Sequence, residues 1–551
     1  MLRFLSTSAI MFFVFSCAYA QVTIKNNQQL IKSFDSVMNK EFKAAEPGSS
    51  VIVVKKGQVI YKKGFGMADM ELNVPVHPDM NFRIGSITKQ FTAVCILQLA
   101  EQGKLSLKDT IKKFIPDYAI KEHITIEHLL THTSGIKSYT NIDSFWGNMR
   151  KDMAPMAIIA FTEKDTLEFK PGSKWNYNNT GYIILGYIIE KVSGKTYEEY
   201  VKQNIFTPLG MNNSFYGSDS RIIKNRAKGY KNNGKEFLNS DYISMTLPYA
   251  AGSLLSTVED LWKWNKALYT YKLLKKEWVD KAITPYVLSD GKPTTYGYGL
   301  GISTVQGSKS IEHGGGIPGF LTHGLFLPAE DIFVAVFSNC DCKSPDDITP
   351  KLAAIAMGKP YNFKALPLTE ADAKKYEGVY ASENGEERVI RWDKDKLTSQ
   401  RGGGNKFTIR MYEKDHFFFD GTFSFIEFKY NSSAVVNALN FKSRNEESVW
   451  KKTNKPLPAS LTFIKVDASV LTDYIGAYQL APNFILTVTL EDGKLFGQAT
   501  GQGKIEMQPL SPVRFKVKDV DAEIEFKKDA TGKTESLVLY QAGREMPAKK
   551  Q

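Results

Sequence analysis

Apolar positions follow two different textures along this chain. Between residues 25 and 360, runs of strand length and runs of helix length are interspersed. Ser50-Val51-Ile52-Val53-Val54, followed across Gly57 by Gln58-Val59-Ile60-Tyr61, predicts a β-hairpin. Phe91 to Leu105 is apolar on most sides and predicts a buried helix, because a helix without a polar stripe has no face to give to water. Thr180 to Val192 predicts a second helix, stopped by Ser193-Gly194, and Asp331 to Ser338 predicts a buried strand. A strand pair, then helices, then late strands predict an α+β domain over 25–360: an antiparallel sheet flanked by helices.

After Pro360 the helical period disappears. Short alternating runs take over, such as Phe423-Ser424-Phe425-Ile426-Glu427-Phe428. Tyr376-x-Gly378-x-Tyr380 recurs as Tyr474-x-Gly476-x-Tyr478. Lys396-Leu397, Gln400, Gly403 and Lys406 recur in the same register as Lys494-Leu495, Gln498, Gly501 and Lys504, and Ile426-Glu427-Phe428-Lys429 as Ile524-Glu525-Phe526-Lys527. A register held without a gap predicts two tandem all-β modules, 366–455 and 460–551, of the small barrel or sandwich kind, with a linker around Pro456 and Pro458.

The first twenty residues stand outside both textures. Arg3 is their only charge, Phe4 to Ala20 is uncharged, and Ala18-Tyr19-Ala20 has the small-residue pattern of a signal-peptide cleavage site. The segment 1–20 is therefore read as a leader, with Gln21 as the mature start and the protein exported to the periplasm or medium. A lipid anchor on Cys17 fits less well, because Phe15 stands two residues upstream.

Composition narrows the classes without choosing among them. Hydrophobic residues at 42% and charged residues at 24% exclude a disordered chain and a multi-span membrane protein. The formal charge of +12 is spread without a dense basic block, so no nucleic-acid partner is expected, and no later stretch predicts a membrane span. Beyond Cys17, the cysteines are Cys95, Cys340 and Cys342. The last two are read as too close in sequence to bridge easily, and no disulfide framework or catalytic thiol is expected.

Three short motifs carry candidate chemistry. In Gly85-Ser86-Ile87-Thr88-Lys89, serine and lysine stand three apart at the head of the predicted buried helix, so they share a face. A serine hydroxyl needs a partner to take its proton, and a lysine shielded from water can lose its own proton near neutral pH and do so. Ser134/Lys137, Ser289/Lys292 and Ser448/Lys451 have the same spacing without that setting, and are read as turns or caps. Tyr177-Asn178-Asn179 offers a phenol to relay a proton and an amide to hold a carbonyl; taken alone it reads as a helix cap. Glu312-His313-Gly314-Gly315-Gly316 offers backbone N–H groups that glycines let a ligand approach; taken alone it reads as a turn beside a strand.

Together, in this order, the motifs resemble those of the penicillin-recognising serine hydrolases, the group of class C β-lactamases, D,D-peptidases, D-aminopeptidases and related esterases. Leu129-Leu130-Thr131-His132-Thr133-Ser134-Gly135, Pro208-Leu209-Gly210-Met211 and Ala251-Gly252-Ser253-Leu254-Leu255-Ser256 add to the likeness, which spans residues 30–345. The resemblance implies Ser86 as the acylated nucleophile, Lys89 and Tyr177 as base and proton relay, and Asn179, His313, Gly315 and Gly316 as substrate-binding residues. The oxyanion hole would use the N–H groups of Ser86 and Gly316. It implies no cofactor and no metal. His313 takes the place of the lysine in the family's Lys-Thr-Gly motif. A mostly neutral imidazole there favours small peptide, amide or ester substrates without a free carboxylate over β-lactams. The two C-terminal modules are similar to those of the D-aminopeptidases, and the oligomeric state is left open.

Two rival chemistries find less support. His128 and His132 have helix spacing for metal ligands, with His123 nearby, but Leu129 stands where a zinc-protease glutamate would be, so core or capping roles are expected. No G-x-S-x-G elbow and no phosphate-binding P-loop occurs. The remaining alternatives are a carboxylesterase of the same family, and a binding or sensor protein that is acylated without turning over.

Overall fold

The computed structural model describes residues 28–551 apart from 163–165, 460–462, 482–483, 501, 519, 521 and 542–543. The expected leader 1–20 with Cys17, the expected mature start at Gln21, and Gly501 of the repeat lie outside the described residues. The chain divides into two compact units between Tyr361 and Asn362.

The first unit is built on six antiparallel strands. Its principal elements in chain order are α1 (28–41), β1 (Ser49–Lys55), β2 (Gln58–Phe65), α2 (Thr88–Glu101), α3 (Asn179–Ser193), α4 (Val258–Tyr269), β3 (Gly301–Val305), β4 (Ser308–Ile317), β5 (Phe320–Leu327), β6 (Ile332–Ser338) and α5 (Thr349–Met357). In space the strands run β3-β4-β5-β6-β1-β2, so the late meander closes onto the early hairpin, with Val51 opposite Val336 and Val53 opposite Val334.

Strand alternation explains why β1 and β6 are apolar at nearly every position. Val51, Val53, Val334 and Val336 join one core with Phe34 and Met38 of α1 and Leu352 of α5. Ile52, Val54, Ala335 and Phe337 point the other way, into a larger core with Phe91 and Val94 of α2 and Leu261 and Trp264 of α4. The expected hairpin, buried helix and late strand are all present. Asn178 caps α3 by accepting from the Gly181 N–H at 2.7 Å, and Gly194 ends it in the left-handed region at φ +70°.

The second unit consists of two closed eight-stranded antiparallel barrels, with strands spanning Gly378–Lys452 and Gly476–Lys550. The repeated Tyr-x-Gly-x-Tyr is where each barrel closes. Tyr380 donates to the carbonyl of Tyr376, and Tyr478 to that of Tyr474. A Cβ on Gly378 or Gly476 would stand within 2.7 Å of the Cε of a lysine from the last strand, Lys452 or Lys550, so a larger residue would displace that lysine side chain. One interior difference breaks the repeat. The first barrel buries Arg388 against the rings of Phe441 and Trp450, with a bond to Ser399, whereas Leu486, Leu539, Ala548 and Gly497 hold those places in the second.

The cysteine expectation needs correcting. Cys340 and Cys342 form a disulfide. The chain turns just after β6 and brings their Cα atoms to 5.1 Å, inside the range a bridge spans. Cys95 is free and buried, and burial raises its pKa, which is the opposite of a reactive thiolate.

Candidate active site

Ser86 sits in a 3-10 turn, Gly85–Ile87, that leads into α2. Gly85 takes φ +50°, and a Cβ on it would stand 2.8 Å from the backbone nitrogen of Gly316. On the opposite side, a Cβ on Gly315 would meet the Ile84 carbonyl oxygen at 2.0 Å. The glycines of β4 therefore let the serine turn and the strand touch backbone to backbone. Ile317 and Phe320 close the β4–β5 hairpin, so alternation along β4 turns the Gly316 N–H away from β5. Gly316 is exposed and Ser86 half-buried, so both can be reached from solvent.

Lys89, one turn further along, is fully buried. Its Nζ donates to Asn179 Oδ1 at 2.8 Å and to the Ala251 carbonyl at 2.9 Å, and stands 3.0 Å from Ser86 Oγ. The rings of Tyr177 and Tyr182 lie 4.8 and 5.4 Å from it, and no carboxylate among the described residues pairs with it. Burial drives its pKa well below the usual lysine value. Two of its three partners can only accept. A neutral amine therefore gives its two N–H groups to Asn179 and Ala251, and its lone pair faces the serine. That is the arrangement of a base poised against an alcohol.

Tyr177 precedes the α3 cap. Its hydroxyl is buried and closes no hydrogen bond. Burial raises its pKa, and Ser86 lies near enough to oppose part of that rise. Serine, lysine and phenol thus come together from two separate stretches of chain. Asn179 joins them through Lys89, and its amide nitrogen also donates to Thr140 Oγ1 at 3.2 Å, leaving one N–H unused by these contacts.

His313 lies on β4 and is buried. Its Nδ1 meets the Gly314 carbonyl at 2.6 Å and its Nε2 meets Tyr296 Oη at 2.7 Å. Burial lowers its pKa to about 3. The two histidines with metal-ligand spacing have protein partners: His128 closes a capping box with Thr125, and His132 Nδ1 accepts from the Asn178 N–H at 3.1 Å. Burial lowers the pKa of His132 as well.

Several participants have no signal of their own in the sequence. The Ala251 carbonyl acts through backbone. Ser138 and Thr140 hold Asn179 from a loop forty residues away, Ser138 Oγ accepting from the Asn179 N–H at 3.1 Å. Tyr296 is one tyrosine among many, marked only by the glycine-rich Tyr296-Gly297-Tyr298-Gly299 around it.

The family model described as Beta-lactamase matches residues 28–356, and one described as Domain of unknown function (DUF3471) matches 464–550, the second barrel. An octameric penicillin-binding protein homologue from Pyrococcus abyssi is 30% identical with a TM-score of 0.54, over 78% of this chain and all of that one. A penicillin binding protein from Bacillus halodurans is 28% identical with a TM-score of 0.52, over 59% of this chain and 99% of its own. A D-stereospecific amidohydrolase from Streptomyces is 25% identical with a TM-score of 0.52, over 60% of this chain and 98% of its own. With a family model matching more than half the chain, and a serine, a buried lysine and a phenol gathered in one place, the chain belongs to the beta-lactamase family of serine hydrolases.

Proposed function

We propose that the protein is an exported amidase, peptidase or esterase that works through an acyl-enzyme on Ser86 and accepts small substrates without a free carboxylate at the His313 end of the cleft. The observation that carries this reading is the buried Lys89 amine, held by Asn179 and Ala251 and 3.0 Å from Ser86 Oγ.

The chemistry runs as follows. The substrate carbonyl oxygen lodges between the N–H groups of Ser86 and Gly316, where each donor is worth on the order of 10²–10³ in rate as negative charge develops. Ser86 Oγ attacks the carbonyl carbon and its proton passes to Lys89 Nζ. Tyr177, beside both, carries a proton to the leaving amine or alcohol as the carbon–nitrogen or carbon–oxygen bond breaks. Water then attacks the ester, giving its proton to the same pair, and the acid leaves as Ser86 regains its hydrogen. Asn179 holds Lys89 and offers its remaining N–H to the substrate.

The neutral His313 supports substrates that end in an uncharged or cationic group, and the D-stereospecific activity named for the Streptomyces relative supports D-aminoacyl amides within that class. The leader 1–20 and the Cys340–Cys342 bridge both suit an oxidising compartment, periplasmic or secreted.

A panel of D- and L-aminoacyl anilides, short-chain p-nitrophenyl esters and a chromogenic cephalosporin tests the substrate class. Turnover of anilides or esters, abolished in Ser86→Ala, is expected. Turnover of the cephalosporin alone overturns the preference, and a stoichiometric burst without steady state points to a sensor.

A further inference from the structure

We propose that Asp341, held between the bridged Cys340 and Cys342, is a positioning residue for acylation: it anchors the hairpin turn that presents the Gly316 N–H and so keeps one donor of the oxyanion hole in place. The inference rests on the acyl-enzyme reading above and adds to it a group that acts through the hairpin rather than on the substrate.

The β4–β5 hairpin turns through Pro318 and Gly319, with Ile317 paired to Phe320. The proline ring fixes its own φ near about −65° and Gly319 takes φ +81°, the pattern of a type II turn. Such a turn twists against the strands it joins, so it needs support from outside the hairpin. The Gly319 N–H supplies the handle. It donates to Asp341 Oδ2 at 3.1 Å, and a carboxylate acceptor makes this a stronger bond than a neutral one. Gly229 and Ser240 pack against the turn as well: a Cβ on Gly319 would stand 2.6 Å from the Ser240 side chain and 2.8 Å from Gly229 Cα. Back along β4 from this turn is Gly316, whose backbone nitrogen lies against Gly85, next to Ser86.

Asp341 is itself fixed from both flanks. Its N–H donates to the Tyr230 carbonyl at 3.1 Å, and the Tyr230 N–H donates to the Asn339 carbonyl at 2.9 Å, so the chain entering it is laid along Tyr230. Beyond it the chain is held by the bridge. The Cα atoms of Cys340 and Cys342 are 5.1 Å apart, against about 7 Å for two residues of extended chain. The bridge therefore folds residue 341 into a turn, and that turn carries the carboxylate that meets Gly319. The next tie along the chain is the Lys343 ammonium on the Glu41 carbonyl at 2.8 Å, made through a long side chain that leaves the backbone freedom to move. Cys340 is buried and Cys342 exposed, so a thiol in solution can reach the bridge.

The test separates an effect on the oxyanion hole from a general loss. The readout is the ratio of kcat/KM for p-nitrophenyl acetate to that for its thionoester, in which sulfur, a weak hydrogen-bond acceptor, replaces the carbonyl oxygen. Measured on the full chain, this ratio should fall about tenfold in Asp341→Ala, because a displaced donor costs the oxygen substrate more. Asp341→Asn keeps an acceptor for Gly319 and should stay within about threefold of the wild type. Cys342→Ser should lower the ratio too, and should lower it no further once Asp341→Ala is present. An unchanged ratio in Asp341→Ala, an Asn variant as impaired as the Ala variant, or losses that add in the double variant overturn the proposal. If Asp341→Ala does not fold, the wild type treated with dithiothreitol decides, once alkylation shows the bridge open. A ratio that falls and returns on reoxidation supports the anchor, and an unchanged ratio overturns it. The underlying reading is checked separately by the wild-type acyl burst with p-nitrophenyl acetate. A missing burst condemns that reading and this inference with it, whereas a burst with an unchanged ratio in the variants condemns only the role of Asp341.

Discussion

Asn179 Oδ1 accepts from Lys89 Nζ at 2.8 Å, so the asparagine of the second motif holds the base as well as facing the cleft. The two motifs are therefore one unit, and a charge placed at residue 179 would act directly on the Lys89 amine, whose pKa burial holds low. Asn179→Asp places a carboxylate against the amine and stabilises its charged form. The expected outcome is a fall of about 10²-fold in kcat/KM at neutral pH, with the acid limb of the pH–rate profile moved to higher pH. Asn179→Ala, which adds no charge, should lose activity without that alkaline displacement.

His313 makes a second prediction, on stability. Its folded-state pKa is lowered from 6.5 to about 3, so the neutral ring is the form the fold prefers. Above pH 6.5 neither the folded nor the unfolded state carries the proton, and the group contributes nothing. As pH falls below 6.5 the unfolded chain takes a proton that the folded chain refuses, and stability drops until about pH 3. His313→Gln removes this linkage, worth up to ~2 kcal/mol between pH 6.5 and 5. Calorimetry at pH 7 and 5 should show a smaller acid shift in the variant than in the wild type. Equal shifts contradict the buried neutral ring.

Asn339 predicts a purely structural loss. It is fully buried, accepts from the Gly48 N–H at 2.6 Å, and donates to the carbonyls of Met67 and Lys228 at 3.0 and 2.8 Å. Asn339→Ala leaves those groups without partners and should cost about 3 kcal/mol. The calorimetric transition of the first unit should fall while that of the barrels stays in place.

What could be read from the sequence follows the range of the physics. The apolar run of Ser50–Val54, that from Phe91 and the stop at Gly194 are local, and each marked its element. The barrel repeat was legible because Tyr376 and Tyr474 have the same task, each offering its carbonyl to the next tyrosine from the turn before a barrel's first strand. Ser86 and Lys89 are one turn apart, so spacing alone put them together. Tyr296 carried no mark of its role, and Ala251, although it opens a stretch that adds to the family likeness, holds Lys89 through a carbonyl, which residue type does not reveal. The Cys340–Cys342 bridge was misread because the spacing rule assumed a straight chain, and this chain turns after β6.

The acylation of Ser86 is tested most directly by intact-mass spectrometry of the full chain, mixed with a p-nitrophenyl ester and quenched in acid. The account predicts one added acyl group per chain, mapped by proteolysis to the peptide containing Ser86, absent in Ser86→Ala and formed about 10²–10⁴ more slowly in Lys89→Met. An adduct that survives in Ser86→Ala, or that maps to another residue, contradicts it.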